Sequence, residues 1–325
     1  MTRCKGCGIT LQDKDKNGLG YVEDINSDIC RRCFRLSHYG EYKTVSLNNN
    51  DYKKIIKSIP DDSLVVYICD ILSLDIYNLD NYNNILLVIT KRDIMPKSVK
   101  DYKLIEYIKR KVNVLDIVII SSNKNYNIDN LYTFIEKYSK GRDVYFVGNT
   151  NSGKSTLINK LQKNYSNSSY NDVTVSMYPS TTLDKVSIKI GSINIVDTPG
   201  IIDNGNIINY LNSKELKKVI PKKEIKPKSC QIKGKGSIVI DNFARIDYES
   251  VNDNSMVIYG ANSLNIRFNS IKKDNLLDLN CTCFNLDNNK DIVIPGLCFI
   301  KFVGSIKVKV YTFENVVPYE RDNLI

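Results

Sequence analysis

The sequence predicts a mixed α/β protein, in which a doubly wound parallel sheet with helices on both faces precedes a β-rich part. Continuous apolar runs rich in β-branched residues, such as SLVVYIC, NILLVIT, VLDIVII and DVYFVG, indicate strands buried on both faces. The amphipathic segments between them, among them SVKDYKLIEYIKRKV and NIDNLYTFIEKYSKG, indicate helices. Strands alternating with helices over about 150 residues are typical of this fold class.

The C-terminal part differs in pattern. Two more strands, KVSIKI and INIVD, complete the predicted sheet, and the helical pattern fades beyond about Leu211. Residues 214–235 then hold nine lysines against two glutamates. Short alternating segments such as GSIVID, SMVIYG, SLNIRF and IKVKVYTF follow and predict a small β-rich domain.

The composition is that of a soluble globular protein. None of the apolar runs approaches the ~20 residues of a membrane-spanning helix, and no apolar leader follows Met1, so we expect a cytoplasmic protein without membrane contact. The net charge of +10 permits a polyanionic partner such as RNA. The one histidine, His38, leaves little material for a Ser-His-Asp triad, and we interpret it as structural.

Four of the nine cysteines form two Cys-x-x-Cys pairs near the N-terminus: Cys4 with Cys7, and Cys30 with Cys33. The segment between the pairs has too few apolar residues for a core of its own. Two such pairs predict a tetrahedral four-thiolate site, where bound Zn²⁺ supplies folding energy and no position stays open for catalysis. Reduced thiols or a redox pair are the alternatives.

The segment GNTNSGKS fits the phosphate-loop pattern G-x-x-x-x-G-K-[ST] and lies between a predicted strand and a predicted helix. Lys154 is expected to reach the β- and γ-phosphates, and Ser155 to bind Mg²⁺. The predicted nucleotide contacts in this loop are Gly148, Asn149, Thr150, Asn151, Ser152, Gly153, Lys154, Ser155 and Thr156.

Two switch motifs follow. In DTPG, Asp197 ends a strand where its carboxylate can support Mg²⁺, and Gly200 allows a backbone N–H to approach the γ-phosphate. In the preceding YPSTTLD, a threonine can bind Mg²⁺ when the γ-phosphate is present. We assign this role to Thr182, with Thr181 as the alternative.

The base-reading motif lies upstream of the phosphate loop. TKRD ends a buried strand with Thr90, Lys91 and Asp93 in the pattern N/T-K-x-D, whose carboxylate accepts two hydrogen bonds from guanine. Adenine lacks that pair of donors, which disfavours an ATPase or kinase. Thr90 replaces the commoner Asn and puts one supporting hydrogen bond in doubt. The next strand ends in a candidate base loop, which contributes Ser121, Ser122 and Asn123.

This motif order predicts a circularly permuted GTPase domain, which keeps its fold because domain termini usually lie close together. We predict a zinc-binding module at residues 1–44, the GTPase domain at 45–210 and a basic β-rich domain at 211–325. The permutation connects the chain after DTPG directly to the C-terminal domain.

The chain resembles the YqeH-like family of circularly permuted, zinc-containing GTPases, through CKGCGITLQ, ICRRCFRLSHY, TKRDIMPKSV, DVYFVGNTNSGKSTLINKL, PSTTLD, DTPGII and the C-terminal FARIDY. The resemblance implies a role in assembly of the small ribosomal subunit, with the subunit or its rRNA as partner. It also implies K⁺ coordination by Asn151 and a hydrophobic residue, Ile201, where related enzymes carry a catalytic glutamine. Slow intrinsic hydrolysis, stimulated by K⁺ or a partner, is then expected.

Two functions compete. In the first, GTP hydrolysis switches a protein that docks on RNA or an assembling ribosomal subunit, and Lys154, Thr182, Gly200 and Asn151 carry the reaction; the sequence leaves the oligomeric state open, with a monomer favoured. In the second, bound guanine nucleotide only stabilises an RNA- or ribosome-binding scaffold. The intact motif set favours the switch. Residues 214–235 and the run Arg31, Arg32 and Arg35 are candidate RNA contacts, although such charge runs are more often solvated faces.

Overall fold

The computed structural model describes residues 2, 4, 10–16, 20–31, 34, 46–47, 57–76, 79–166, 186–201, 203–269, 280–287 and 289–325. The chain forms two compact units. The first contains Met1–Asp70, Leu74–Arg92 and Lys111–Ile202, and the second contains Ile71–Ser73, Asp93–Arg110 and Asp203–Ile325. Two short segments from the middle of the chain therefore belong to the mostly C-terminal unit.

The first unit is built on a six-stranded sheet in the order β4-β3-β2-β5-β7-β6. Its strands, with a separate parallel pair formed by β1 and β8, are β1 (Ser46–Leu47), β2 (Leu64–Asp70), β3 (Ile85–Thr90), β4 (Asp116–Ile119), β5 (Val144–Gly148), β6 (Val186–Ile190), β7 (Ile193–Asp197) and β8 (Gly200–Ile201). All neighbours in the six-stranded sheet pair in parallel except β6 and β7, which form an antiparallel hairpin. The predicted buried parallel strands are confirmed.

The α-helices whose bounds fall within the described residues are α1 (Asp101–Lys109), α2 (Ile128–Ser139), α3 (Lys154–Tyr165) and α4 (Ser213–Val219). Leu131 of α2 and Leu157 of α3 join one core cluster with Val66 and Phe146 of the sheet, so both helices pack on the same sheet face. The opposite face is buried too, as Tyr67 illustrates. Helix α1, which the sequence pattern placed beside the sheet, belongs to the second unit.

The second unit contains an eight-stranded antiparallel sheet. Its strands are β9 (Lys228–Ile240), β10 (Ala244–Gly260), β11 (Ile266–Asn269), β12 (Asn280–Leu286), β13 (Lys290–Ile294), β14 (Cys298–Val303), β15 (Ile306–Thr312) and β16 (Tyr319–Asp322). The 17-residue β10 pairs with β15 in its first half and with β14 in its second half. The register shifts between these halves, at Ser250 and Asn254, as in a β-bulge. Side chains from both halves share one hydrophobic core.

The lysine-rich stretch is more ordered than its composition indicates. The prediction that helical structure ends near Leu211 is wrong, because α4 lies beyond it and begins with a capping box between Asn212 and Glu215. The Asn-x-x-Glu pattern could have predicted this start. Lys228 then begins β9, a 13-residue strand where the sequence indicated only a short one.

At the N-terminus, Cys4 and Cys30 are buried in a small cluster with Leu11 and Val22. Ile29 is partly buried and packs against this cluster. Among the described residues, no helix combines the length and the apolar character needed to cross a bilayer.

Candidate nucleotide-binding site

The predicted site residues of the first unit lie at the carboxyl ends of neighbouring parallel strands. Strand β3 ends at Thr90, β5 at Gly148 and β7 at Asp197, and the order β3-β2-β5-β7 places these ends along one edge of the sheet. Ligands of open α/β sheets bind at this edge. Motifs that are far apart in the sequence therefore meet at one side of the fold.

The phosphate loop has the backbone that its glycines predict. A Cβ on Gly148 would lie 2.3 Å from the carbonyl oxygen of Ile68, so the close approach of β2 requires glycine there. Asn151 and Gly153 adopt left-handed conformations with φ of 64° and 97°. Left-handed residues within a turn expose backbone N–H groups to one concave side, which suits an anion. Gly153 also precedes α3, whose N-terminus favours negative charge.

Lys154 and Asp197 form a buried ion pair. The Lys154 Nζ donates to Asp197 Oδ1 at 2.6 Å and also donates to the carbonyl oxygen of Thr198. Both side chains are about 3% exposed. The predicted phosphate-binding cation and the predicted magnesium-supporting carboxylate thus lie at the same point, although 43 residues separate them.

The donor set fits a magnesium nucleotide. The Ser152 hydroxyl is buried in the phosphate loop and has no hydrogen-bond partner among the described residues, and a phosphate oxygen would satisfy it. The hydroxyl of Ser155 and the carboxylate of Asp197 are oxygen ligands of the kind that Mg²⁺ prefers. Thr181 and Thr182 lie outside the described residues, and so the assignment of the switch threonine stays a prediction.

Thr90 connects the base-reading motif to the phosphate loop. Its hydroxyl, which is buried, donates to the backbone carbonyl oxygen of Ser152. The sequence put one supporting hydrogen bond of this motif in doubt, because Thr90 replaces the commoner asparagine. In the structure, the Thr90 hydroxyl makes a hydrogen bond to the phosphate loop. Lys91 follows with a φ of 62°, and its ammonium lies 3.7 Å from the carboxylate of Asp70 at the end of β2.

The base-reading segment continues into a short 3₁₀ helix, Arg92–Ile94, which contains Asp93. The backbone N–H of Arg92 donates to the carbonyl oxygen of Ile120 at 3.0 Å, directly before the candidate base loop. That loop is closed by two backbone hydrogen bonds between Ser121 and Tyr126. Ser122 and Asn123 lie inside this closed turn.

The DTPG motif is also joined to the phosphate loop. The N–H of Thr150 donates to the carbonyl oxygen of Ile201 at 2.8 Å. A Cβ on Gly200 would lie 3.2 Å from the Thr150 methyl group. Because of these two contacts, a displacement of the chain after DTPG would also displace the phosphate loop.

Sequence reasoning missed one residue of this site. The Asp75 carboxylate accepts a hydrogen bond from the side-chain amide of Asn149, the second residue of the phosphate-loop motif. Asp75 lies in an irregular segment after β2 and belongs to no motif, so the sequence contains no signal for it. It also contributes, with Asp70, to the raised pKa of Cys69, whose main cause is burial of the thiol. Cys69 is thus a neutral core residue.

The predicted zinc ligands are described in part. Cys4 and Cys30 are both 1% exposed, and the N–H of Cys30 donates to the Cys4 sulfur at 3.1 Å. Cys7 and Cys33 lie outside the described residues, as does His38. Within the part of the chain that the structure describes, no three His, Cys, Asp or Glu residues cluster as metal ligands.

The motif order along this sheet defines the class, a circularly permuted P-loop GTPase with a β-rich C-terminal sheet. The family model described as "50S ribosome-binding GTPase" matches residues 143–238. The chain is 39% identical to "Uncharacterized protein YqeH" of Bacillus subtilis (strain 168), with 99% of each chain covered. The chain therefore belongs to the YqeH family.

More distant similarities extend to plant proteins. The chain is 28% identical to "NO-associated protein 1, chloroplastic/mitochondrial" of Arabidopsis thaliana, over 70% of this chain and 48% of that longer protein. Among solved structures, it is similar to YjeQ from Thermotoga maritima, with 19% identity, a TM-score of 0.28, and coverage of 42% of this chain and 48% of that one.

Proposed function

We propose that this protein is a GTP-hydrolysing switch whose nucleotide state controls its binding to the small ribosomal subunit or its rRNA. The observation that supports the switch best is the direct bonding between motifs, Thr90 to Ser152 and Lys154 to Asp197, at one edge of the sheet. A scaffold that only binds nucleotide would not need the phosphate loop linked to both the base motif and DTPG.

In the proposed reaction, the protein positions the nucleotide and neutralises charge that develops on the transferred phosphoryl group. Lys154 supplies a fixed positive charge at the phosphates, and Mg²⁺, which Ser155, Thr182 and Asp197 would hold, would supply further positive charge there. Gly200 leaves room for its backbone N–H at the γ-phosphate. Ile201 cannot orient water as a glutamine does, and we therefore assign the missing stimulation to K⁺ bound by Asn151 or to a partner.

Guanine selectivity is assigned to Asp93. Asp93→Asn is expected to weaken GTP binding by about 2–5 kcal/mol, because two charge-assisted hydrogen bonds are lost. The variant should bind the xanthine nucleotide better than the wild type does, since an amide can donate to the additional oxygen of that base. Competition titrations with GTP, XTP and ATP measure both changes. Equal affinity of the wild type for ATP and GTP would disprove the base-reading assignment.

The ribosomal partner is supported by family membership and by a basic surface on the second unit. Five lysines there have exposed side chains and no ion pair among the described contacts: Lys214, Lys217, Lys222, Lys223 and Lys226. By contrast, Lys218, Lys233 and Lys235 pair with carboxylates of Asp241, Asp253 and Glu249. The five exposed lysines can contact RNA phosphates, and contacts of this kind do not depend on the base sequence.

We expect nucleotide-dependent co-sedimentation with ribosomal subunits. The matched family model is named for the 50S subunit, whereas the small subunit is the partner proposed here, so both subunits belong in the assay. The protein is expected to bind the small subunit with an affinity that differs between GDP and a non-hydrolysable GTP analogue. Equal binding in both states would favour the scaffold, and binding to the large subunit alone would overturn the partner assignment.

We also assign a structural Zn²⁺ to Cys4, Cys7, Cys30 and Cys33. The N–H to sulfur hydrogen bond between Cys30 and Cys4 supports it, because such bonds stabilise thiolates that bind metal. Elemental analysis of protein purified without chelators is expected to give one zinc per chain, and Cys30→Ser is expected to lose it. Metal content near zero in the wild type would rule the site out.

A further inference from the structure

The segment that follows the base-reading aspartate is held by the C-terminal part of the chain. Asp93–Arg110 belongs to the second unit with Asp203–Ile325. The N–H of Ile225 donates to the carbonyl oxygen of Ile94 at 2.8 Å, one residue after Asp93. The Glu224 carboxylate accepts a hydrogen bond from the N–H of Lys97 at 3.0 Å. Ile94 and Ile225 are 3% and 2% exposed, so the first of these bonds lies in a dry environment.

A single side chain fixes the segment that makes these bonds. The amide nitrogen of Asn262 donates to the carbonyl oxygen of Glu224 at 2.9 Å, and its oxygen accepts from the N–H of Lys226 at 2.8 Å. Both ends of the Asn262 amide are therefore used on residues 224–226. A two-point contact of this kind fixes both the position and the orientation of the backbone between the two bonds.

These contacts restrict Asp93 from its C-terminal side. From the other side, Arg92 is bonded to Ile120 in front of the base loop. A carboxylate that accepts two hydrogen bonds from one base edge has to be held within about 0.5 Å of the right position. The contacts of residues 224–226 thus limit the geometry of a group that they do not touch.

We propose that residues 224–226, fixed by Asn262, are a positioning element for guanine recognition, and that the C-terminal unit acts through it on nucleotide affinity. The proposal rests on the proposed function, in which Asp93 reads guanine. A ligand that displaces residues 224–226 lowers guanine affinity, and by reciprocity bound guanine nucleotide weakens that ligand by the same factor. The exposed Lys222, Lys223 and Lys226 in and beside this element are where a polyanion such as RNA would exert that effect.

The test compares GDP with IDP, since hypoxanthine lacks the 2-amino group and can give Asp93 only one of the two hydrogen bonds. The wild-type chain is expected to prefer GDP by about ten-fold or more, the contribution of one charge-assisted hydrogen bond. Asn262→Ala is expected to reduce this preference by about three- to ten-fold, because a misplaced carboxylate loses most where it makes two bonds. An Asn262 that only stabilised the fold would lower both affinities equally and leave their ratio unchanged.

Two controls keep the test decisive. Asn254→Ala removes another side-chain amide of the same unit, which bonds to the carbonyl oxygen of Ser305, and should leave the ratio unchanged. Glu224→Ala should reduce the ratio, whereas Glu224→Gln, which keeps the acceptor for Lys97, should preserve it. This pair decides the question if Asn262→Ala does not fold.

The results distinguish the positioning role of residues 224–226 from the base-reading role of Asp93. Unchanged GDP/IDP ratios in both Asn262→Ala and Glu224→Ala, with a selective wild type, would overturn the positioning element alone. A wild type without any preference for GDP over IDP would instead overturn the base-reading role of Asp93, and with it the proposed function.

Discussion

Arg321→Leu is expected to lower the free energy of unfolding of the second unit by about 3–5 kcal/mol, because it leaves a buried carboxylate without its cation. Asp291 is fully buried, and Arg321 Nε lies 3.3 Å from its Oδ2. Arg321 is 7% exposed, and its guanidinium also donates to the backbone carbonyls of Leu72 and Ser73. The chain has no Trp, so tryptophan fluorescence cannot follow unfolding. Urea unfolding monitored by far-ultraviolet circular dichroism measures the change instead.

The loss in free energy of unfolding caused by Arg321→Leu should depend on pH. Burial raises the pKa of Asp291 more than Arg321 lowers it, so the folded state holds a proton more tightly than the unfolded state. The stability contributed by this group is therefore greatest below its ordinary pKa and is lost as the pH rises through the folded value. Arg321→Leu removes the lowering influence, and the loss of stability that it causes should be smaller at low pH, where Asp291 is protonated, than at high pH, where it is ionised.

A matched variant separates burial from loss of charge. Lys235→Leu also removes a cation from an ion pair, but the side chains of Lys235 and Glu249 are 62% and 51% exposed. Such a pair contributes at most about 1 kcal/mol. Equal losses in Arg321→Leu and Lys235→Leu would contradict the assignment of a structural role to the buried pair.

Lys154→Met is expected to reduce GTP hydrolysis by at least about 100-fold, because a preorganised positive charge is removed from the phosphates. The change also leaves Asp197, which is 3% exposed, without the ammonium 2.6 Å away.

Wild-type and variant rates should be measured in potassium and in sodium buffers, and the wild type is expected to be faster in potassium. Equal wild-type rates in the two buffers would exclude the K⁺ assignment to Asn151.

Lys163→Met is the control for the loss of a lysine from the same helix. Lys163 lies in the last turn of α3, where its side chain is exposed. Its replacement should leave hydrolysis within about two-fold of the wild type, since an exposed charge away from the phosphates contributes little. If Lys154→Met retained hydrolysis at the level of Lys163→Met, the catalytic role of Lys154 would be refuted.

The strands and motifs of the first unit could be predicted because they depend on local patterns. SLVVYIC and NILLVIT can bury continuous apolar runs only inside a covered sheet, and β2 and β3 lie where those runs predict them. The permuted order of the motifs is likewise a property of the sequence, and the sheet order confirms that it still produces one continuous edge. The resemblance to YqeH-like proteins is confirmed by 39% identity over nearly the whole chain.

Local patterns were less informative for the second unit. Helix α4 was missed because its seven residues are mostly polar and give little apolar periodicity. The length of β10 was missed because polar residues such as Asn252 and Asp253 interrupt it where the bulge lies. Hydrogen bonds to three partner strands, β9 along both halves and β15 and β14 along one half each, keep this strand extended.

From the sequence alone, the buried strands of the first unit could be predicted, and so could the residue types that stand at the ends of those strands, because both depend on spacing along the chain. Only the tertiary structure decided which of these residues touch. It paired Lys154 with Asp197, Thr90 with Ser152 and Asn149 with Asp75. It also assigned Asp93–Arg110 to the unit that contains the C-terminal sheet. Contacts between residues distant in sequence arise from packing of whole elements, and no local pattern encodes that packing.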